Sequence, residues 1–194
     1  LARDNFEIYE NKRPQKIADF AAETDMPLRI GMLIETSNSA RDNFEFALEA
    51  AGEFLRGVMR QDRDKALIYS VDSQPELVQD LTSDANLLTR KLARLRPGGS
   101  TSLYDAMYEA ARERLVVEKP STAYRHALVI IGDSMDTSST HTRDQVMEMV
   151  IRSDVAVYGI STNSTGNESD GDRMLKQLSQ ETGGRACFPT KMEN

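Results

Sequence analysis

The chain alternates between short, nearly unbroken apolar runs and longer stretches in which apolar residues return every three or four positions. The runs are Ile30 to Ile34, Lys65 to Val71, Ala127 to Ile131 and Val155 to Ile160. Such runs suit parallel strands covered by helices on both faces. Between them, Phe44, Leu48, Ala51, Leu55 and Val58 mark one helical face, and Leu88, Leu92 and Leu95 a second. Leu103, Met107, Ala110, Ala111 and Leu115 mark a third, Val146, Met149 and Val150 a fourth, and Met174, Leu175 and Leu178 a fifth. Glu76 to Leu81 alternates after the turn Asp72-Ser73-Gln74-Pro75, which predicts an edge strand antiparallel to its predecessor. Arg185 to Phe188 reads as a last short strand. The pattern predicts an α/β fold: a Rossmann-like, doubly wound, mostly parallel sheet with one antiparallel edge strand and helices on both faces.

Ahead of the sheet, residues 5–20 form two short alternating runs around Asn11-Lys12-Arg13-Pro14. They read as a β-hairpin with Phe6, Ile8, Ile17 and Phe20 as its apolar contacts, or as an extended arm. Glu23 to Pro27 is the linker. Residues 1–26 are thus set apart from a domain at 27–194.

Composition narrows the function. With 194 residues the chain has the length of one full-sized domain, and at 39% hydrophobic and 28% charged it is globular in type. A net charge of −7 without a basic stripe argues against a nucleic-acid partner. No apolar run approaches a membrane span. The first residue is Leu1, so the sequence is expected to be an excised or processed piece. Cys187, the single cysteine, excludes an intrachain disulfide and leaves the redox compartment open.

The candidate chemistry lies where strands end. Leu28 to Ser39 ends in Glu35, Ser37 and Ser39, a carboxylate and two hydroxyls at alternate positions leaving a buried strand. Open α/β sheets place ligands at such carboxyl ends. Thr101, after Gly98-Gly99, and Asp133, after the third run, add a hydroxyl and a carboxylate. Hard cations take oxygen ligands, and three neutral hydroxyls with two carboxylates would leave Mg²⁺ electrophilic enough to accept a further carboxylate from another protein.

The segments E-T-S-N-S, G-G-S-T-S-L-Y-D-A and I-I-G-D-S-M-D resemble the von Willebrand factor type A domain over roughly residues 27 to 190. The leading F-E-I-Y-E-N-K-R-P-Q-K-I resembles the lead-in of a bacterial branch of that family. The resemblance implies an adhesion-type, protein-binding domain that is not an enzyme, outside the cytoplasm. It also implies a metal-ion-dependent adhesion site for Mg²⁺, Mn²⁺ or Ca²⁺ at Glu35, Ser37, Ser39, Thr101 and Asp133. Ser37, Ser39 and Thr101 would be direct ligands, Asp133 would act through water, and an acidic side chain of a protein partner would complete the shell. Glu35 stands where the family has Asp, and Asn38 where Gly is common. The extra methylene moves the carboxylate by roughly 1.5 Å, against Mg–O distances of ~2.0–2.1 Å. Glu35 either displaces the usual water and binds directly or crowds the site.

Plainer roles compete for the same residues. Ser39 reads as the N-cap of the first helix with Asp42 at its third position, Thr101 or Ser102 as the cap of a later one with Asp105 behind, and Ser83 as another cap. Thr142 and Gln145 have capping-box spacing. Asp136 reads as a solvated turn residue and His126 as a packing residue. Asn163-Ser164-Thr165 and Asn167-Glu168-Ser169 fit glycosylation sequons or plain turns. Two rivals follow: a metal-independent structural interaction module, and a serine hydrolase using Ser134 with His141 as its base.

Overall fold

The computed structural model describes residues 2–18, 26–116, 124–133, 135–163, 165 and 167–189. Phe20 and the linker positions Glu23, Thr24 and Asp25 lie outside the described residues. Strands β1 (Ile8–Glu10) and β2 (Arg13–Gln15) form an antiparallel hairpin in which Tyr9 faces Pro14. Its two-residue turn, Asn11-Lys12, has positive φ at both positions (50° and 64°), as a turn matching the strands' twist requires. Phe6 and Ile8, expected to make the hairpin's apolar contacts, are exposed, as is Tyr9.

The main sheet has the order β5-β4-β3-β6-β7-β8. Its strands are β3 (Leu28–Glu35), β4 (Lys65–Val71), β5 (Pro75–Thr82), β6 (Arg125–Gly132), β7 (Val155–Ser161) and β8 (Ala186–Cys187). Only β5 runs antiparallel, against β4. Strand β3 lies between β4 and β6, parallel to both. The chain leaves β3 to one side and returns as β6 on the other, so the carboxyl ends of β3 and β6 bound the crevice where the winding reverses.

Alternation along β3 divides the core. Ile30, Met32 and Ile34 pack with α1 (Phe44–Val58) and α2 (Ala85–Leu92). Leu33 packs with α3 (Leu103–Glu109), the π-helical turns continuing it through Leu115, α4 (Arg143–Arg152) and α5 (Asp170–Glu181). Helix α1 buries Phe44, Ala47, Ala51 and Leu55. Leu48 and Val58, assigned to that face by spacing, sit at its margins, with Val58 38% exposed.

At the amino-terminal edge of the sheet, the fully buried Asp64 accepts the Leu28 amide at 2.7 Å, the Arg60 amide at 2.8 Å and the Arg60 guanidinium at 2.9 and 3.0 Å. The Thr142–Gln145 capping box at α4 is present. Asp84, not Ser83, caps α2 by accepting the Leu87 amide at 2.8 Å. Among the described residues no helix is long and apolar enough to cross a membrane.

Candidate functional site

Four of the five candidate side chains are in mutual contact. Glu35 Oε1 accepts hydrogen bonds from Ser37 Oγ at 2.8 Å and from Thr101 Oγ1, 66 positions away in sequence, at 2.9 Å. Ser37 Oγ and Ser39 Oγ share a hydrogen bond of 2.8 Å. Glu35, Ser37 and Thr101 are buried, while Ser39 is exposed at the mouth. Adjacent ligands of a Mg²⁺ octahedron lie about 2.8–3.0 Å apart, so this spacing serves a hydrogen-bond network and a ligand set equally well.

Asp133 leaves the end of β6, and its Oδ1 accepts the Met135 amide at 3.2 Å. This bond is local to its own loop and does not join Asp133 to Glu35, Ser37, Ser39 or Thr101. A Cβ at Gly132 would overlap both Oε2 and Cβ of Glu35. The bare α-carbon at 132 thus makes the room into which the longer Glu35 side chain folds, a role that no local sequence signal marks.

The side-chain capping bonds expected of these hydroxyls are not formed, although Ser102 is the N-cap residue of α3 as expected. Residues 38–43 form a 3₁₀ segment before α1, whose N-cap is Asn43, and Ser39 caps neither. Ser102 precedes α3 but spends its hydroxyl on the Asp72 carbonyl at 2.7 Å, and its amide donates to the same oxygen at 2.8 Å. The Ser37 and Thr101 hydroxyls instead both donate to Glu35 Oε1, and Ser39 Oγ meets Ser37 Oγ.

Three loops hold the cluster. The Thr36 amide donates to the Val71 carbonyl at 2.9 Å, and the Asn38 amide and side chain donate to the Gly99 carbonyl at 3.1 and 3.2 Å. Gly99 has φ of 81°, and a Cβ there would overlap Ser73 Oγ. The Thr101 carbonyl accepts the Thr137 and Ser138 amides at 2.8 and 3.0 Å. Asp136, far from a solvated turn residue, accepts the Tyr104 amide at 3.0 Å and Ser139 Oγ at 2.6 Å. Asp105 accepts the Thr140 and His141 amides, each at 2.9 Å, and lies 2.6 Å from His141 Nδ1. Burial pushes the Asp105 carboxyl up, but these amides and the His141 ring outweigh it and hold it below its usual range. Both aspartates therefore staple the 136–141 loop to the first turn of α3, which Thr101 precedes by two residues.

His141 is stacked on Tyr108 with ring centroids 4.0 Å apart, and His126 is buried within β6. Ser134, the nucleophile of the hydrolase reading, lies outside the described residues. Asn163, the first sequon asparagine, donates its amide nitrogen to Asp172 Oδ2 at 2.6 Å and to the Asn167 carbonyl at 2.8 Å, so it serves turn chemistry here. Among the described residues no cluster of three or more His, Cys, Asp or Glu side chains could hold a metal. Any cation on this face would depend on the hydroxyl oxygens.

Comparisons with known proteins agree with this architecture. The sequence profile of the von Willebrand factor type A domain matches residues 30–138. No curated protein matches the chain. Among solved structures, it is similar to an aerotolerance-related membrane protein from Bacteroides fragilis, with 17% identity over 84% of this chain and 91% of that one and a TM-score of 0.67. It is also similar to a von Willebrand factor type A protein from Catenulispora acidiphila, with 13% identity over 86% and 39% and a TM-score of 0.70. A third is the pilus adhesin SpaC from Lactobacillus rhamnosus GG, with 10% identity over 87% and 28% and a TM-score of 0.67. The profile spans more than half of the chain, across the strands and loops that build the crevice, and the protein belongs to the von Willebrand factor type A domain family.

Proposed function

We propose that the chain is an adhesion-type protein-binding module whose upper face takes a divalent cation, Mg²⁺ or a similar ion, in the cradle of Glu35, Ser37, Ser39, Thr101 and Asp133. The observation that carries this reading is the convergence of the Ser37 and Thr101 hydroxyls on one oxygen of Glu35. Ser37, Ser39 and Thr101 would hold the ion directly, Asp133 would act through water, and Glu35 would bind either directly or through water. With only two carboxylates nearby, the bound ion would keep enough charge to attract an acidic side chain of a protein partner. The pilus adhesin and the membrane protein among the similar structures support an adhesive role and a place outside the cytoplasm.

The metal-independent alternative is favoured by the same contacts, because Glu35 satisfies Ser37 and Thr101 without an ion. Calorimetric titration with Mg²⁺ and Mn²⁺, beside Thr101→Ala, separates the two. The cation reading expects saturable binding in the parent and at least roughly tenfold weaker binding in the variant, the loss of about 1.4 kcal/mol. Absence of heat from both proteins leaves a purely structural module.

Glu35→Asp tests the departure from the family pattern. The shorter carboxylate retreats from Gly132 and leaves room for a bridging water, so Mg²⁺ affinity is expected to rise. Unchanged or weaker affinity in the same titration means that the loops have adapted to glutamate.

A further inference from the structure

Thr101 follows two glycines, Gly98 and Gly99, which bring no side chains to fix the segment by packing. The direction of its hydroxyl is therefore set by the hydrogen bonds that hold residues 98–101. Upstream, the Gly98 amide donates to the Thr36 carbonyl, the Gly99 carbonyl accepts Asn38, and the Ser100 amide donates to Ser73 Oγ at 3.1 Å. Residue 101 itself is held by the loop that follows β6. The Thr101 amide donates to Thr137 Oγ1 at 3.0 Å, and the Thr101 carbonyl accepts the Thr137 amide at 2.8 Å. The Thr137 hydroxyl also lies 3.5 Å from that carbonyl. Thr137 thus engages both backbone polar groups of Thr101, while Ser138 adds its amide to the carbonyl at 3.0 Å. Thr101 is buried and Thr137 exposed, so the Thr137 hydroxyl orients its neighbour rather than filling the core.

We propose, resting on the cation reading above, that Thr137 is a positioning residue for the ion. Without touching the ion, its hydroxyl fixes the Thr101 backbone so that Thr101 Oγ1 reaches the same oxygen of Glu35 as Ser37 does. A ligand hydroxyl that must meet a metal at a short, fixed distance is sensitive to small rotations of its own backbone. The loop that carries Asp133 therefore also sets the aim of a direct ligand on a different loop.

Thr137→Val keeps the branched shape and the Thr137 amide and removes the hydroxyl, whereas Thr137→Ser keeps the hydroxyl. Calorimetric Mg²⁺ titration of the full 194-residue chain is paired with hydrogen exchange of the Thr101 amide, followed by NMR without the ion. The valine variant is expected to melt with the parent and to bind Mg²⁺ roughly three- to tenfold more weakly, the range of one lost hydrogen bond. Its Thr101 amide should exchange several-fold faster, and the serine variant should match the parent in both measurements. A valine variant with the parent's affinity, an unchanged Thr101 exchange, or serine and valine variants that weaken alike would each overturn the role of Thr137 and leave the cation reading standing. So would a valine variant whose melting temperature falls together with its affinity, since Thr137 would then be merely structural. A parent that takes up no Mg²⁺ overturns the cation reading itself, and the role of Thr137 with it.

Discussion

Asp64→Ala is expected to lower the unfolding free energy by about 3 kcal/mol in urea titrations. The carboxylate is fully buried and collects the Leu28 amide together with the Arg60 amide and guanidinium. Arg60 in turn donates to the Met26 carbonyl at 2.7 Å, so one side chain ties the segment entering β3 to the end of α1. Removing it strands two amides and a cation near the first residue of the central strand. The Arg60 side chain is 37% exposed, which keeps the loss below that of a fully enclosed pair.

The same group gives the fold a defined acid limit. Burial pushes the Asp64 carboxyl up, but the Arg60 hydrogen bond, the Leu28 and Arg60 amides and the Arg60 charge together pull it down from 3.8 to about 2. Because the folded value is depressed, this contribution is complete above the unfolded value of 3.8 and disappears as pH falls through about 2. The difference is worth on the order of 2 kcal/mol. Asp105 and Asp172 are displaced in the same direction and steepen the fall. Stability measured from pH 5 to pH 2 should therefore drop more steeply in the parent than in Asp64→Asn, which cannot titrate at this position. Parallel curves would assign the acid limit to other carboxylates.

Gly132→Ala is expected to cost about 2–3 kcal/mol, near the upper end for an overpacked site. The new methyl group overlaps Glu35 at both Oε2 and Cβ. Rotating the carboxylate away relieves only the first overlap, because the second involves the root of the side chain on the neighbouring strand. Some separation of β3 from β6 must follow, and Glu35 Oε1 must leave Ser37 and Thr101. Combining Gly132→Ala with Glu35→Asp removes the Oε2 overlap and leaves the other, so thermal melts should show partial recovery. Additive losses in the double-mutant cycle would mean that the carboxylate is not the obstacle.

The edge strand β5, the Thr142–Gln145 capping box and the strand–helix alternation were all legible because each rests on local periodicity or on contacts a few residues apart. The hydroxyls near the site were harder to read. Ser39 and Ser102 have the sequence context of helix caps, yet a 3₁₀ segment displaces Ser39 from the start of α1 and the Asp72 carbonyl captures Ser102. Asp136 resembles a turn residue until α3 is packed beside it and offers the Tyr104 amide. Asp64 carries no local sign of burial, since its partners come from the entry to β3 and the end of α1.

By itself the sequence determined the family, the succession of strands and helices, and the oxygen-bearing residues placed at strand ends. Side-chain periodicity and short-range spacing suffice for these because they are properties of neighbouring residues. Only the tertiary structure decided that Thr101 meets Glu35 and that Gly132 supplies the space for the longer side chain. Each of those depends on which strands become neighbours, and that is fixed by packing the whole sheet rather than by any one segment.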